Sequence, residues 1–399
     1  MQNSSGFVKL DLFCKGLRVH KSCGLENDAR RVLSTRGGLG SGLEMVLPGR
    51  VFVNAPVVEK FARRSPYLLK KGESGYFLER AGEFVCAVSL PRTPAFYSEK
   101  TSSGKLMSRI AVMQGSYLGV YPSAVCSFWK MRPAQNCAFC SVGLNVGKNE
   151  EGEKSVPDVV EVARAAKREE KITFVHLNTG FYGGNELRLV MPYVRALKNE
   201  GLLVGVQCPP SFDLEKYKEL KKAGADHVSF CLEFWDEGVL DKTCPGKSRF
   251  IGRKRFLDAI AYCSKLFGKG RVAGELIAGI EPAEKTVEAI EAFAKMGAVS
   301  TVCVFRPCIG TKMENRAVPK TRETLPIFAK LYDSCLDYGI PFGIAPNVRV
   351  GMAMLPEECA EFSEKPATMK RHLSKFTNAA AKAAFRAAFA AKSMAGKFK

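Results

Sequence analysis

Long apolar runs are missing from this chain: no stretch approaches the roughly 20 residues that a membrane-spanning helix needs. Its first residues, MQNSSGFVKLDLFCKGLRVHKS, lack the apolar core of a secretory signal, so a cytoplasmic location is expected. Histidine is scarce, with His20, His176, His227 and His372 scattered and none at the spacing of a metal-binding pair. A second CxxC is absent too, since Cys231, Cys244, Cys263, Cys303 and Cys308 show no such spacing. A closed structural zinc site therefore finds no fourth ligand by spacing. Acid is short relative to base, 40 Asp and Glu against 60 Lys and Arg, for a net charge of +20. That imbalance raises the local concentration of anions, mildly favours an anionic substrate and keeps nucleic acid as a secondary partner.

What is present is an ordinary globular composition. At 399 residues, 46% hydrophobic and 25% charged, the chain has room for one large α/β domain with an appendage, or for two domains. Fourteen cysteines in a cytoplasmic chain of this size point to metal ligation plus inert buried thiols, not to a disulfide framework.

Residues 1–115 hold short β-like runs such as Glu44–Val53 and a hairpin, Tyr76–Arg80 with Glu83–Leu90, turned at Ala81-Gly82. They are expected to form an α+β accessory region. Over residues 116–350 strand-like and helix-like segments alternate. Leu118–Val125 leads into a cysteine loop, and Ser155–Glu169 follows as a helix with capping-box spacing at Ser155 and Asp158. Strands are expected at Ile172–Asn178, Leu203–Cys208, Asp226–Glu233, Arg271–Ile277 and Ser300–Phe305, with a short one near Pro341–Ala345. Helices are expected at Leu187–Glu200, Leu214–Ala223, Lys254–Phe267, Ala283–Met296 and Glu323–Tyr338. Repeated βα units of this kind build an open doubly wound sheet or a barrel. Residues 351–399 lose the alternation and end in an Ala-, Lys- and Phe-rich helix former around Asn378–Ala391. That helix is expected to be peripheral, or to meet a membrane surface or nucleic acid, while residues 1–115 pack on the main domain and shape it.

The chemistry concentrates in CSFWKMRPAQNCAFCSVG. Cys137 and Cys140 form a CxxC with Phe139 before the second thiol, and Cys126 stands eleven positions before Cys137, with ten residues between them. Three thiolates are one short of a closed tetrahedral site, and a metal centre with an open position is built for chemistry. The loop also carries Trp129, Lys130, Arg132 and Asn136, a polar-aromatic mix unlike a core strand.

In these features the chain resembles the radical S-adenosylmethionine (radical SAM) superfamily, whose members place three cysteines after the first barrel strand, usually as CxxxCxxC. Here the first gap is ten residues. Downstream, Gly183-Gly184-Asn185-Glu186 resembles the family's glycine–glycine–acidic motif, where missing Cβ atoms admit the amino group of S-adenosylmethionine. FCLEFWDEGVLDKTCPGKSRFIGRKRF resembles the biotin synthase-like branch. It gives Glu233 an acidic role at the fourth strand end, with Cys231 pointing the same way, and offers Arg249 and Arg253 to the cofactor carboxylate. Gly274–Pro282, with Ile277 in it, resembles the stretch that packs on adenine. Pro307, Gly310 and Thr311 resemble a proline–glycine–threonine loop.

The resemblance implies a partial or full TIM-like parallel (β/α) barrel. It further implies a [4Fe-4S] cluster on Cys126, Cys137 and Cys140, and S-adenosyl-L-methionine as second cofactor, beside Phe139 and Asn185 among others. A small-molecule substrate, and an electron donor such as flavodoxin or ferredoxin, are implied with them. An auxiliary cluster would draw on Cys208, Cys303 or Cys308; Val272 and Ala273 stand where biotin formation would want another cysteine. The competing expectation is a non-catalytic iron–sulfur or zinc protein that binds nucleic acid.

Overall fold

Ser4 starts the first helix, α1 (Ser5–Lys15), by accepting the Phe7 N–H on its hydroxyl. The computed structural model describes residues 4–25 and 42–395. Strand β1 (Arg18–Val19) comes next, then the antiparallel pair β2 (Leu43–Leu47) and β3 (Val51–Ala55). The run Glu44–Val53 is thus folded in two, because Gly49 at φ 73° turns the chain between the strands. Strands β4 (Tyr67–Gly72), β5 (Gly75–Arg80) and β6 (Glu83–Val88) complete a four-stranded sheet in the order β1-β4-β5-β6.

The main sheet has seven strands in sequence order: β7 (Ala111–Gln114), β8 (Tyr117–Val120), β9 (Phe174–Asn178), β10 (Leu203–Gln207), β11 (His227–Glu233), β12 (Val272–Ala278) and β13 (Val299–Val304). β7 pairs antiparallel with β8, and every later pairing is parallel. The accessory region therefore lends its last strand to the main sheet. Two short helices, α2 (Ser127–Lys130) and α3 (Val142–Asn145), shape the loop after β8. The crossovers that follow carry α4 (Val156–Glu170), α5 (Glu186–Asn199), α6 (Lys216–Ala223), α7 (Glu237–Thr243), α8 (Pro245–Phe250), α9 (Arg253–Phe267) and α10 (Ala283–Lys295). The Ser155–Asp158 capping box forms as its spacing predicts. Helices on one face and side chains filling the other explain why β10 is buried along its whole length.

The two edge strands β7 and β13 do not pair, yet residues from both line one interior cavity, so the sheet curls into an open, partial barrel. The expected strand near Pro341–Ala345 does not form. Pro341 has no N–H to give a ladder, the Phe342 N–H is taken by Asn378 Oδ1, and Gly343 sits at φ 61°. The stretch instead runs as irregular chain along the barrel's open side and lines the cavity.

Residues before β7 pack on the barrel. Lys9 Nζ donates to Glu358 at 2.7 Å, Arg306 donates to Asn54 Oδ1 at 3.0 Å, and Thr321 bonds Asp11. Thr321 opens α11 (Thr321–Asp337). The last helix, α12 (Met369–Ala395), begins with Arg371 buried between Asp333 and Asp337 of α11. Much of it is exposed, but Ala381 and Phe385 reach the barrel cavity, so the helix is not wholly peripheral. Removing everything after Thr377 is expected to lower stability by about 1–3 kcal/mol, from the half-buried Phe385 and the lost Asn378 contact. Thermal melting checks the size of that loss, and iron analysis should show the cysteine loop, at the opposite end of the strands, still loading its metal.

Candidate functional site

Among the described residues, two adjoining cavities lie within the barrel. One, of about 280 Å³, lies at the C-terminal ends of the strands, where parallel βα folds carry their functional loops. Cys126, Cys137, Cys140, Phe139 and Asn136 line it, together with Asn178, Gln207, Glu233, Ile277 and Val304 from the strand ends. From outside the barrel, α1 adds Phe13, and Met352 comes from the segment after α11. The second cavity, of about 580 Å³, is lined from the strand starts: Tyr117, Phe174, Leu203, His227 and Arg271. Tyr121, Asn178, Gln207, Glu275, Cys303 and Met352 face both.

The three loop cysteines converge on the upper cavity and act on one another. Burial raises the Cys126 thiol, although the Phe181 N–H, 3.3 Å from its Sγ, opposes this. A hydrogen bond from the buried Cys244 thiol holds Cys137 below the ordinary thiol range, against burial and with help from Lys247. Cys140 is pushed up to about 12 by burial and by the charge of Cys137. Of the three, Cys137 is the one whose surroundings favour the thiolate, the form that binds metal. Among the described residues no group of three or more His, Cys, Asp or Glu is arranged to hold a single metal ion.

The glycine that approaches the cysteine loop is Gly180, which the sequence reading missed. A Cβ there would lie 2.4 Å from Cys126 Cβ and 2.7 Å from Tyr121 Oη. Only its place directly after β9, ahead of the conspicuous glycine pair, signals it. Gly183 and Gly184 stand farther along the same loop at φ 66° and 88°, and neither lines the cavity. Glu186 turns inward to accept the Gly184 N–H at 3.2 Å and that of Tyr182, while Asn185 is exposed at the start of α5. Close by, the Thr179 hydroxyl is buried without a partner, an open polar atom at the cavity edge.

Glu233 faces the cavity from the end of β11 at φ 76°, where the register against β12 shifts between Cys231 and Glu233. Such strain is rarely kept without use. Its Oε1 accepts from Lys247 Nζ at 2.6 Å, and the same ammonium donates to the Cys231 carbonyl at 2.6 Å. Burial works against the Lys247 charge, but Glu233 and the surrounding thiols outweigh it and hold its pKa well above the ordinary value. Cys231 and Ile277 line the cavity, and Gln207 Nε2 lies 2.7 Å from Cys231 Sγ. Cys208, Cys303 and Cys308 line it as dispersed thiols. The two arginines stand elsewhere. Arg249 is exposed, and Arg253 stacks on Trp235 at 3.9 Å while donating to Glu237 and the Trp235 carbonyl. The buried cation at this strand end is Lys247, between the two arginines of the motif and Cys244, and nothing in its neighbours' pattern marked it.

Residues 132–311 match the family model described as the Radical SAM superfamily. A curated relative, bacteriochlorophyllide c C-7(1)-hydroxylase of Chlorobaculum limnaeum, is 25% identical over 130 residues, 32% of each chain. The match thus spans about a third of that relative's length. Among solved structures, methylornithine synthase is similar at 19% identity and TM-score 0.43, covering 55% of this chain and 62% of that one. A radical SAM methyltransferase from Sphaerobacter thermophilus is similar at 12% identity and TM-score 0.43, covering 67% and 75%. The matched span takes in Cys137 and Cys140, the β9 loop, Glu233 and the β13 loop, the elements that wall the upper cavity. Residues 132–311 are therefore a radical SAM domain, of a superfamily whose members use a [4Fe-4S] cluster and S-adenosylmethionine.

Proposed function

We propose that this chain is a radical SAM enzyme that binds both cofactors in the upper cavity and acts on a small molecule held in the barrel. The observation that carries the reading is the convergence of Cys126, Cys137 and Cys140 on one cavity at the strand ends of a radical SAM domain. When bound, the cluster and S-adenosylmethionine supply one-electron cleavage of the sulfonium and a carbon radical that removes hydrogen from a substrate.

The residues present fit that pair. Gly180 leaves the space that brings Cys126 against the β9 loop, and three thiols without a fourth in the cavity wall's loop leave one coordination position open. Cys244 and Lys247 favour the thiolate of Cys137, the form a cluster iron would take. Phe139, set edge-on to Phe234, and Ile277 offer apolar surface for a purine ring. Glu233 and Thr179 offer polar atoms for an amino group or hydroxyls, with Lys247 fixing the carboxylate's aim. Phe13, Phe181 and Phe305 close the wall and exclude water, which a carbon radical requires.

Anaerobic reconstitution followed by titration with S-adenosylmethionine tests this. A cluster spectrum that changes on titration, and cleavage of the added S-adenosylmethionine under a low-potential reductant, are expected. Cys126→Ala should cut the bound iron and abolish the response. A reconstituted cluster indifferent to S-adenosylmethionine would favour a structural iron–sulfur protein and refute the catalytic reading.

A further inference from the structure

The three loop cysteines do not line the lower cavity, whereas Tyr117, Phe174 and His176 line it and not the upper one. We propose that the lower cavity is the substrate chamber and that it takes an uncharged, largely apolar ring compound whose N–H or O–H group donates to Glu275. The assignment rests on the catalytic reading above, since it gives that site its substrate class.

Size and continuity come first. At about 580 Å³ the chamber falls within the roughly 300–1,000 Å³ typical of small-molecule sites. Asn178, Gln207, Glu275 and Cys303 line both cavities, so a molecule seated below lies directly beneath the cofactor end. The wall is aromatic. Tyr117 meets Phe174 edge-on at 5.7 Å, and Phe174 stacks on His176 at 5.8 Å. Gly205 makes that wall possible, because a Cβ there would lie 2.5 Å from the Phe174 ring and 2.9 Å from His176. Phe342 and Phe385 add apolar surface from the open side. Flat, rigid rings are the natural filling for such a wall.

Polar groups of both signs line the chamber, with Asp226, Lys269 and Arg271 at the strand starts and Glu275 and Gln207 at the junction. Glu275 and Gln207 bond each other across the junction between the chambers. His176 is neutral, its pKa pushed down to about 3 by burial and by His227, and its Nε2 is buried without a partner. The cation bearing on Glu275, Lys247, is committed to Glu233 and the Cys231 carbonyl. Lys269 and Arg271 belong to the rim at the strand starts, and Arg271 lies over the Phe385 ring at 5.9 Å. Burial and the Glu233 charge raise the Glu275 carboxyl to about 7, and an anion pushed to the middle would meet it with Lys247 already committed elsewhere. A neutral donor would instead meet acceptors at Glu275 and His176. The net charge of the chain is thus a poor guide to this chamber.

The test uses the full-length, cluster-reconstituted protein and 2-naphthol, a neutral bicyclic ring with one O–H, titrated by calorimetry against naphthalene-2-sulfonate. Saturable 1:1 binding of 2-naphthol is expected, with the sulfonate about tenfold weaker or worse. Thr301→Trp, which fills the chamber from β13, should weaken 2-naphthol at least about tenfold, and Ala345→Trp fills it from the opposite side should the first variant misfold. Glu275→Leu should lose about tenfold while Glu275→Gln, still an acceptor, should stay near wild type. Equal affinity for the sulfonate, or no loss in either well-folded tryptophan variant, overturns the proposal. S-adenosylmethionine cleavage followed on the same samples separates the two readings. Cleavage without naphthol binding removes the chamber alone, and naphthol binding without cleavage removes the catalytic reading on which it rests.

Discussion

Gly180→Val is expected to reduce cluster iron by about tenfold or more while leaving the barrel folded. The first atom of the new side chain would overlap Cys126 Cβ, at 2.4 Å, and the Tyr121 hydroxyl, at 2.7 Å. Both neighbours are tied in place. The Ser127 N–H donates to the Phe181 carbonyl at 2.9 Å, and the Gly180 N–H donates to Tyr121 Oη at 3.0 Å. Relief therefore requires the Cys126 segment to withdraw from the β9 loop, and a thiol displaced by an ångström or two no longer reaches its iron. Iron and sulfide analysis after anaerobic reconstitution reads the loss, with far-ultraviolet circular dichroism as the folding control. Gly184→Val gives the contrast. Its Cβ would press on Phe212 at 2.8 Å, away from the cysteines, so iron should be retained and only the loop strained. Iron loss in the second variant but not in the first would reverse the roles given to these glycines.

Lys247→Met should lower stability by about 3–5 kcal/mol, because it leaves the Glu233 carboxylate buried without its partner. The side chains of the pair are only 13% and 12% exposed, and their 2.6 Å contact is the principal compensation for that burial. The ammonium also ties the Cys231 carbonyl and favours the thiolate of Cys137, so weaker cluster assembly is expected alongside the lost stability. Adding Glu233→Gln should return a large part of the stability, since a neutral amide costs less to bury than a lone carboxylate. Cofactor binding would remain impaired in the double variant. Chemical denaturation of all four proteins, closed as a double-mutant cycle, measures the coupling. A coupling under about 0.5 kcal/mol would show the ion pair to be incidental.

The alternation of βα units was legible from residue patterns because each rests on local chemistry. Short apolar runs alternating with helix-forming segments marked β9 through β13 within two residues, and Ser155 with Asp158 marked the start of α4. The cysteine loop was equally plain, since three thiols beside Phe139 after an apolar strand depend only on spacing. Local pattern also misled where neighbours were decisive. The stretch Pro341–Ala345 reads as a strand until Asn378, more than thirty residues on, takes the N–H that a ladder would need. The motif after β11 drew attention to Arg249 and Arg253, yet Arg249 is exposed, Arg253 lies against Trp235, and the cation at Glu233 is Lys247.

By itself, then, the sequence determined the order of strands and helices and the grouping of three thiols in the loop after β8, because capping, periodicity and spacing act over a few residues. Tertiary structure alone decided which glycine meets Cys126, which cation faces Glu233, and that Phe385 of the last helix reaches a chamber beneath the cofactor end. Those are contacts across tens to hundreds of residues, set by how the sheet curls and what closes its open side. No local rule encodes the distance between side chains that meet only after the barrel has formed.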